Sequence, residues 1–167
     1  MNYLKETNSK KEMIYLGADH AGFTLKEKVK KELQKKYEVK DFGAYTLQKD
    51  DDYPDYAFPV AKAVASSKGK AKGILFCGSA EGICIAANKI KGIKAVPVWN
   101  KEIAKRSREH NDANVLCLAG GKTKSPMKGI SFAQAKKIID IWLKTPFSGE
   151  ERHIRRLRKI ERKEKEH

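Results

Sequence analysis

Short apolar runs alternate with amphipathic stretches about five times along this chain of 167 residues, and that alternation leaves few folds open. The run Met13–Ala18, MIYLGA, reads as a buried strand, and the segment after it sets Leu25, Val29 and Leu33 at i, i+4 and i+8, one face of a helix. A second strand, YEVKDFG, ends at Gly43. The acidic loop LQKDDDYP then leads into DYAFPVAKAVASS, a helix in which Pro59 predicts an early kink or a delayed start. GILFC, GIKAVPV and ANVLCLAG read as the remaining strands. GICIAANKI, NKEIAKRSREH and SFAQAKKIIDIWLK read as helices between and after them, the last with Ala133, Ile138, Ile141 and Trp142 facing inward. Strand followed by helix, repeated, predicts a three-layer α/β fold: a doubly wound, Rossmann-like, five-stranded parallel sheet with helices on both faces. A charged helix, EERHIRRLRKIERKEKEH, closes the chain. Residues 1–12 are expected to form a flexible extension, 13–150 the α/β domain, and 151–167 a basic helix.

In a doubly wound sheet ligands bind outside the carboxyl ends of the strands, so the loops GADHAG, DFGAYT, CGSAEG and AGGKT become the site candidates. GADHAG is not a dinucleotide fingerprint, because Asp19 stands where G-x-G-x-x-G needs its second glycine. Two readings of it stand side by side. Asp19 caps a helix and His20 lies on the surface, or Asp19 accepts hydrogen bonds from substrate hydroxyls while His20 faces an anion at a helix N-terminus.

CGSAEG is more specific. Cys77 ends its strand where the N–H groups of the following turn point toward the crevice, and such amides stabilise a thiolate and lower its pKa toward the physiological range; the other reading of Cys77 is a buried structural cysteine. Cys84 and Cys117 lie in apolar surroundings and read as small core residues. Cys77, Cys84 and His110 lack the spacing of a zinc site, and no metal is expected. His110 and Asn111 stand where a polar helix meets the fifth strand and read as bracing residues. Arg152 and Arg156 are one helical turn apart, so both guanidinium groups can face one phosphate, although an exposed basic helix has the same pattern.

Composition limits the partners. The formal net charge is +15, but the lysines are spread along the chain, are interleaved with acids in KEKVKKELQKK, and have no aromatic stripe beside them. A dedicated nucleic-acid surface is therefore not expected. The excess charge favours a small anionic substrate such as a sugar phosphate. No stretch approaches the ~18 apolar residues of a membrane span, and the N-terminus lacks the apolar core of a signal peptide. Three cysteines, an odd number, argue for free thiols rather than a disulfide framework. A cytoplasmic location follows as the expectation.

The stretches GADHAGFTLKEKV, DFGAY, DDYPDYA, GILFCGSAEGICIAANKIKGIKAV, REHNDANVL and GEERHIRR, in that order from about Met13 to Arg158, resemble the ribose-5-phosphate isomerase B family, which includes the galactose-6-phosphate isomerase subunits. The resemblance implies an aldose–ketose isomerase without metal or organic cofactor, acting on a phosphorylated aldose or ketose. It implies a homodimer, or a dimer of such dimers, with active sites at the subunit interface. Under it, His110 assists ring opening and Cys77 is the base that moves a proton between C2 and C1 through an enediolate. Asp19 holds substrate hydroxyls, and His20, Arg152 and Arg156 bind phosphate. Gly78, Ser79 and Gly82, in the loop that also carries Ala80 and Glu81, receive the enediolate, and Asn111 supports the same end of the sugar.

The chain departs from the family pattern at three places. Ala80 stands where glycine is usual, and its Cβ opposes a positive φ or a close substrate approach. Glu81 adds a negative charge that, unless it points to solvent, raises the Cys77 pKa. Gly121, with Lys122 beside it, replaces a frequent phosphate-contacting arginine. Alternatives to the pentose reading are an isomerase of a hexose 6-phosphate and a non-catalytic sugar-phosphate-binding relative.

Overall fold

The computed structural model describes residues 12–121 and 128–166. Five parallel strands form one sheet in the order β2-β1-β3-β5-β4: β1 Met13–Ala18, β2 Glu38–Asp41, β3 Ala71–Cys77, β4 Ala95–Pro97 and β5 Val115–Ala119. The helices are α1 His20–Leu33, α2 Tyr53–Ser66, α3 Glu81–Ala87, α4 Lys101–Asn111, α5 Phe132–Lys144 and α6 Glu151–Glu164. The central strands are apolar apart from Lys72 near the start of β3, because both faces of the sheet are covered. Ile74 and Phe76 of β3, with Leu116 and Leu118 of β5, pack toward α1, α4 and α5. Leu75 and Cys77, with Val115 and Cys117, pack toward α2 and α3. The period of two along β3 therefore aims the Cys77 side chain at the α3 face. No helix of the described residues is long and apolar enough to cross a membrane.

The expected elements are present, with differences that have local causes. The second and fourth strands are shorter than their apolar patterns, because β2 and β4 lie at the sheet edges and pair on one side only. The helix expected to kink or start late at Pro59 instead begins at Tyr53, with Pro54 in its first turn, and runs through Pro59 to Ser66. The carbonyl that loses its partner is that of Asp55, exposed in the first turn where water can serve it. In α5, Ser131 caps the helix in a capping box with Gln134 and sets its phase, so Ala135, Ile138, Ile139 and Trp142 point inward. Ala133, expected on that face, is exposed, and Ile141 is half-buried.

Lys26, in a stretch that reads as charged surface, is fully buried. Its Nζ donates to both carboxylate oxygens of Asp41, at 2.8 and 2.7 Å, and to the Ala44 carbonyl at 2.7 Å, tying α1 to the loop that follows β2. Helix α6 stands apart from the sheet faces. It leaves from the end of α4, where the Ser148 N–H donates to the Glu109 carbonyl, and reaches the turn before β4, where the Gly92 N–H donates to Glu164. It thus runs along the amino edge of the sheet. The expected N-terminal extension, Glu12 apart, lies outside the described residues, as does Lys122.

Candidate active site

At the carboxyl edge, β3 ends in Cys77 and the chain turns through Gly78, Ser79 and Ala80 into α3. The thiol is 3 % exposed. Backbone N–H groups of Ile83, Ala80 and Ser79 are directed at it, the arrangement expected from the sequence. Their effect is outweighed: burial pushes the Cys77 pKa above the usual thiol value, and the Asp19 carboxylate adds to the rise. The expectation of a lowered pKa is thus corrected. The amides are in place, but a desolvated thiol next to a carboxylate is harder to ionise than one in water.

The loop departures resolve individually. Ala80 adopts φ +71°, in the left-handed region, so the position does require the conformation that glycine favours, and alanine holds it at a cost of ~1 kcal/mol. Glu81 is exposed, its N–H meets Ser79 Oγ at 3.3 Å, and the charge that raises the Cys77 pKa belongs to Asp19. A Cβ on Gly82 would lie 2.7 Å from the Tyr53 ring, so Tyr53 is seated directly on this loop. A Cβ on Gly121 would lie 1.9 Å from the Gly129 nitrogen, which leaves no room for an arginine there.

Asp19 unites the two readings of GADHAG. It caps α1, with Oδ1 accepting from the Gly22 N–H at 3.0 Å, and it is buried within electrostatic reach of Cys77 and His20. Burial raises its pKa. His20 is not a bare surface residue. Its backbone N–H and its Nδ1 both meet Asp51 Oδ1, at 2.8 and 2.7 Å, and that bond raises its pKa. Asp51 Oδ2 accepts from the Tyr56 hydroxyl at 2.9 Å. Asp51, Tyr53 and Tyr56 are the site residues that sequence reasoning passed over. Their signal was the acid-aromatic run DDYPDY, which no spacing argument assigned to chemistry.

His110, Asn111, Arg152 and Arg156 are elsewhere. Helix α4 runs against the strands, so its last residues lie where β5 begins, at the amino edge. Cys77 is paired with Ala119 at the other end of β5, about 13 Å away along the strand alone. His110 stacks on His153 of α6, ring centroids 4.3 Å apart. His153 is buried, its Nε2 has no hydrogen-bond partner among the described residues, and burial lowers its pKa. Arg152 and Arg156 are exposed, Arg152 Nε meeting Glu150 at 2.8 Å, and Asn111 is exposed too. Within one chain the fold brings Asp19, His20 and the Cys77 loop together and holds the His110 group apart from them.

Cys84 and Cys117 are core residues as expected: both are buried, and their thiols lie within interaction distance of each other. Burial holds Cys117 well above the usual thiol range.

Comparison with known proteins places this geometry in context. Residues 14–160 match the model of a family described as ribose/galactose isomerase. A probable ribose-5-phosphate isomerase B of Mycoplasma genitalium is 42 % identical over 154 residues, covering 92 % of this chain and 96 % of that one. The ribose-5-phosphate isomerase B of Mycobacterium tuberculosis is 37 % identical over 145 residues, covering 86 % and 85 %. Among solved structures, ribose-5-phosphate isomerase B of M. genitalium with bound ribulose-5-phosphate superposes with a TM-score of 0.85 at 41 % identity, covering 93 % of this chain and 97 % of that one.

Proposed function

The chain belongs to the ribose/galactose isomerase family, and on that premise we propose that it interconverts ribose 5-phosphate and ribulose 5-phosphate, without metal or organic cofactor, as a homodimer in the cytoplasm. The observation that carries the reading is the buried Cys77 thiol facing three backbone amides with Asp19 beside it. An aldose–ketose isomerisation needs one group to take a proton from C2 and return it to C1, and donors for the oxyanion that develops between. Cys77, as thiolate, is the base. The loop Gly78, Ser79, Ala80, Glu81 and Gly82 supplies N–H groups and the Ser79 hydroxyl to the enediolate. Asp19 holds substrate hydroxyls from the same edge, and His20 receives phosphate.

The remaining groups come from a second copy. One chain keeps His110, Asn111, Arg152 and Arg156 at the opposite edge from its own Cys77, so a complete site requires another subunit's amino edge to meet this carboxyl edge. His110 of that copy assists ring opening, Asn111 supports the reacting end of the sugar, and Arg152 and Arg156 of α6 clamp phosphate. The three free, buried thiols suit a reducing compartment.

Two impaired variants test this together, assayed at ribose 5-phosphate well below KM, where the loss of phosphate binding in Arg156→Ala lowers the rate about tenfold or more. Mixing Cys77→Ala with Arg156→Ala, after subunit exchange, creates heterodimers in which one of the two sites has both native residues, and activity should recover to about a quarter of the unmixed native value. No recovery, with exchange confirmed, would refute the shared site. A coupled assay across pentose and hexose phosphates should give its highest kcat/KM with ribose 5-phosphate, and a higher value with a hexose 6-phosphate would replace the substrate.

A further inference from the structure

We propose that Asp51 is a positioning residue: by binding the backbone N–H and Nδ1 of His20 through one carboxylate oxygen, it holds that imidazole in its cationic form with Nε2 turned outward, toward the substrate phosphate. The proposal rests on the reading that the site binds a sugar phosphate, and it assigns work to a residue at the far end of the loop after β2, beyond the stretch DFGAYT.

The geometry is specific. Asp51 precedes α2, 31 positions along the chain from His20, and its side chain is 6 % exposed. Oδ1 takes both His20 donors, at 2.8 and 2.7 Å, which fixes the ring plane as well as the proton on Nδ1. Oδ2 is held by the Tyr56 hydroxyl at 2.9 Å, so the carboxylate cannot swing away. The His20 side chain remains 35 % exposed. With Nδ1 committed, the nitrogen left for a ligand is Nε2, a donor when the ring is charged and an acceptor when it is neutral. An acceptor facing a phosphate repels it. The site therefore needs the cation, and an ordinary histidine near pKa 6.5 would be mostly neutral at physiological pH.

Among the described residues the charged groups that act on the ring favour the cation, against the opposing effect of burial. Asp51 raises the His20 pKa first through its hydrogen bond and also through its charge, and Asp19 from the start of α1 adds to it. The pair also marks the Tyr56 hydroxyl, whose pKa is pushed up to about 12 by burial and by its bond to Asp51, while Asp55 on α2 acts in the same direction. Because the folded value is raised, the cation is fully present below the ordinary pKa and is lost as pH rises through the elevated one.

The test is the titration of His20 by NMR in the full chain without ligand, its resonance assigned with His20→Gln. In the native protein it should titrate above 6.5, and in Asp51→Asn it should fall, with Asp51→Glu restoring part of the shift. The dissociation constant for inorganic phosphate and the KM for ribose 5-phosphate, measured near pH 7.5, should rise in Asp51→Asn by up to roughly tenfold for each unit lost, with kcat little changed. In a His20→Gln background Asp51→Asn should add nothing to either constant.

A native His20 that titrates at or below 6.5 overturns the proposal without any variant, as does an Asp51→Asn effect that persists in the His20→Gln background. Because the titration needs no substrate, a raised His20 in a protein inactive on every sugar phosphate supports the pairing and overturns the proposed function instead. Isomerase activity with an unshifted His20 does the reverse.

Discussion

At the carboxyl edge of the sheet Cys77 and Asp19 are buried, His20 is half-buried, and the groups act on one another: burial raises Cys77 and Asp19, Asp19 adds to the rise at Cys77, and Asp51 raises His20. At the amino edge Arg152 and Arg156 stand in solvent, while the His110–His153 stack is shielded through His153. Both edges carry ionisable groups. They differ in dielectric surroundings, and under the proposed function that difference separates the group that moves a proton, Cys77, from the exposed arginines that hold phosphate. A base must be tuned, which takes desolvation and close neighbours. A phosphate clamp on a surface that meets another subunit needs reach and charge, and exposed arginines have both.

The largest way to break this contrast is to remove the proposed base. Cys77→Ala should lower kcat by ~10²- to 10⁴-fold, measured in a coupled assay, with no greater fall in the thermal midpoint than the other two buried cysteines show. Cys84→Ala and Cys117→Ala should chiefly lower the midpoint, because those thiols fill the core. Equal loss of activity from all three at equal folding would end the special role of Cys77. The same desolvation predicts a pH profile: since the Cys77 pKa is raised, the thiolate fraction, and with it kcat/KM, should climb through an alkaline limb above the ordinary thiol value.

The amino edge should respond in KM. Arg152→Ala and Arg156→Ala are each expected to raise KM for ribose 5-phosphate by about tenfold or more, with lysine a partial replacement because it lacks the planar fork. Unchanged KM in both would make α6 a solvated basic helix and nothing more.

The smallest effects test the loop between the buried and exposed regimes. Ala80→Gly should raise stability by up to ~1 kcal/mol, read from denaturant unfolding, because it relieves the left-handed strain at φ +71°. Glu81→Gln should leave the alkaline limb where it is, since the side chain is exposed. A downward shift of that limb would place the carboxylate in the crevice.

The alternation of strand and helix was legible because it follows from periodicity, which local sequence encodes, and the loops after β1 and β3 followed from it. Lys26 and Asp51 were not. A lysine in TLKEKV and an aspartate in KDDDYP look like surface charge, and only the arrival of Asp41 beside one and His20 beside the other gives them partners. Ala133 was misplaced for a smaller reason: apolar character does not fix helical phase, and the Ser131 cap does.

By itself, then, the sequence determined the fold class, the strand ends on which a site could be built, and the family-like motifs that mark Cys77, Asp19 and His20. The tertiary structure decided what those groups can do. It showed that burial outweighs the amides at Cys77, that Asp19 caps and reaches the site at once, and that His110 and Arg152 lie a full strand away from the residues they were grouped with. Ionisation depends on solvent exclusion and on neighbours distant in the chain, and strand direction sets which ends of the elements meet. Neither is a property of any local stretch of residues.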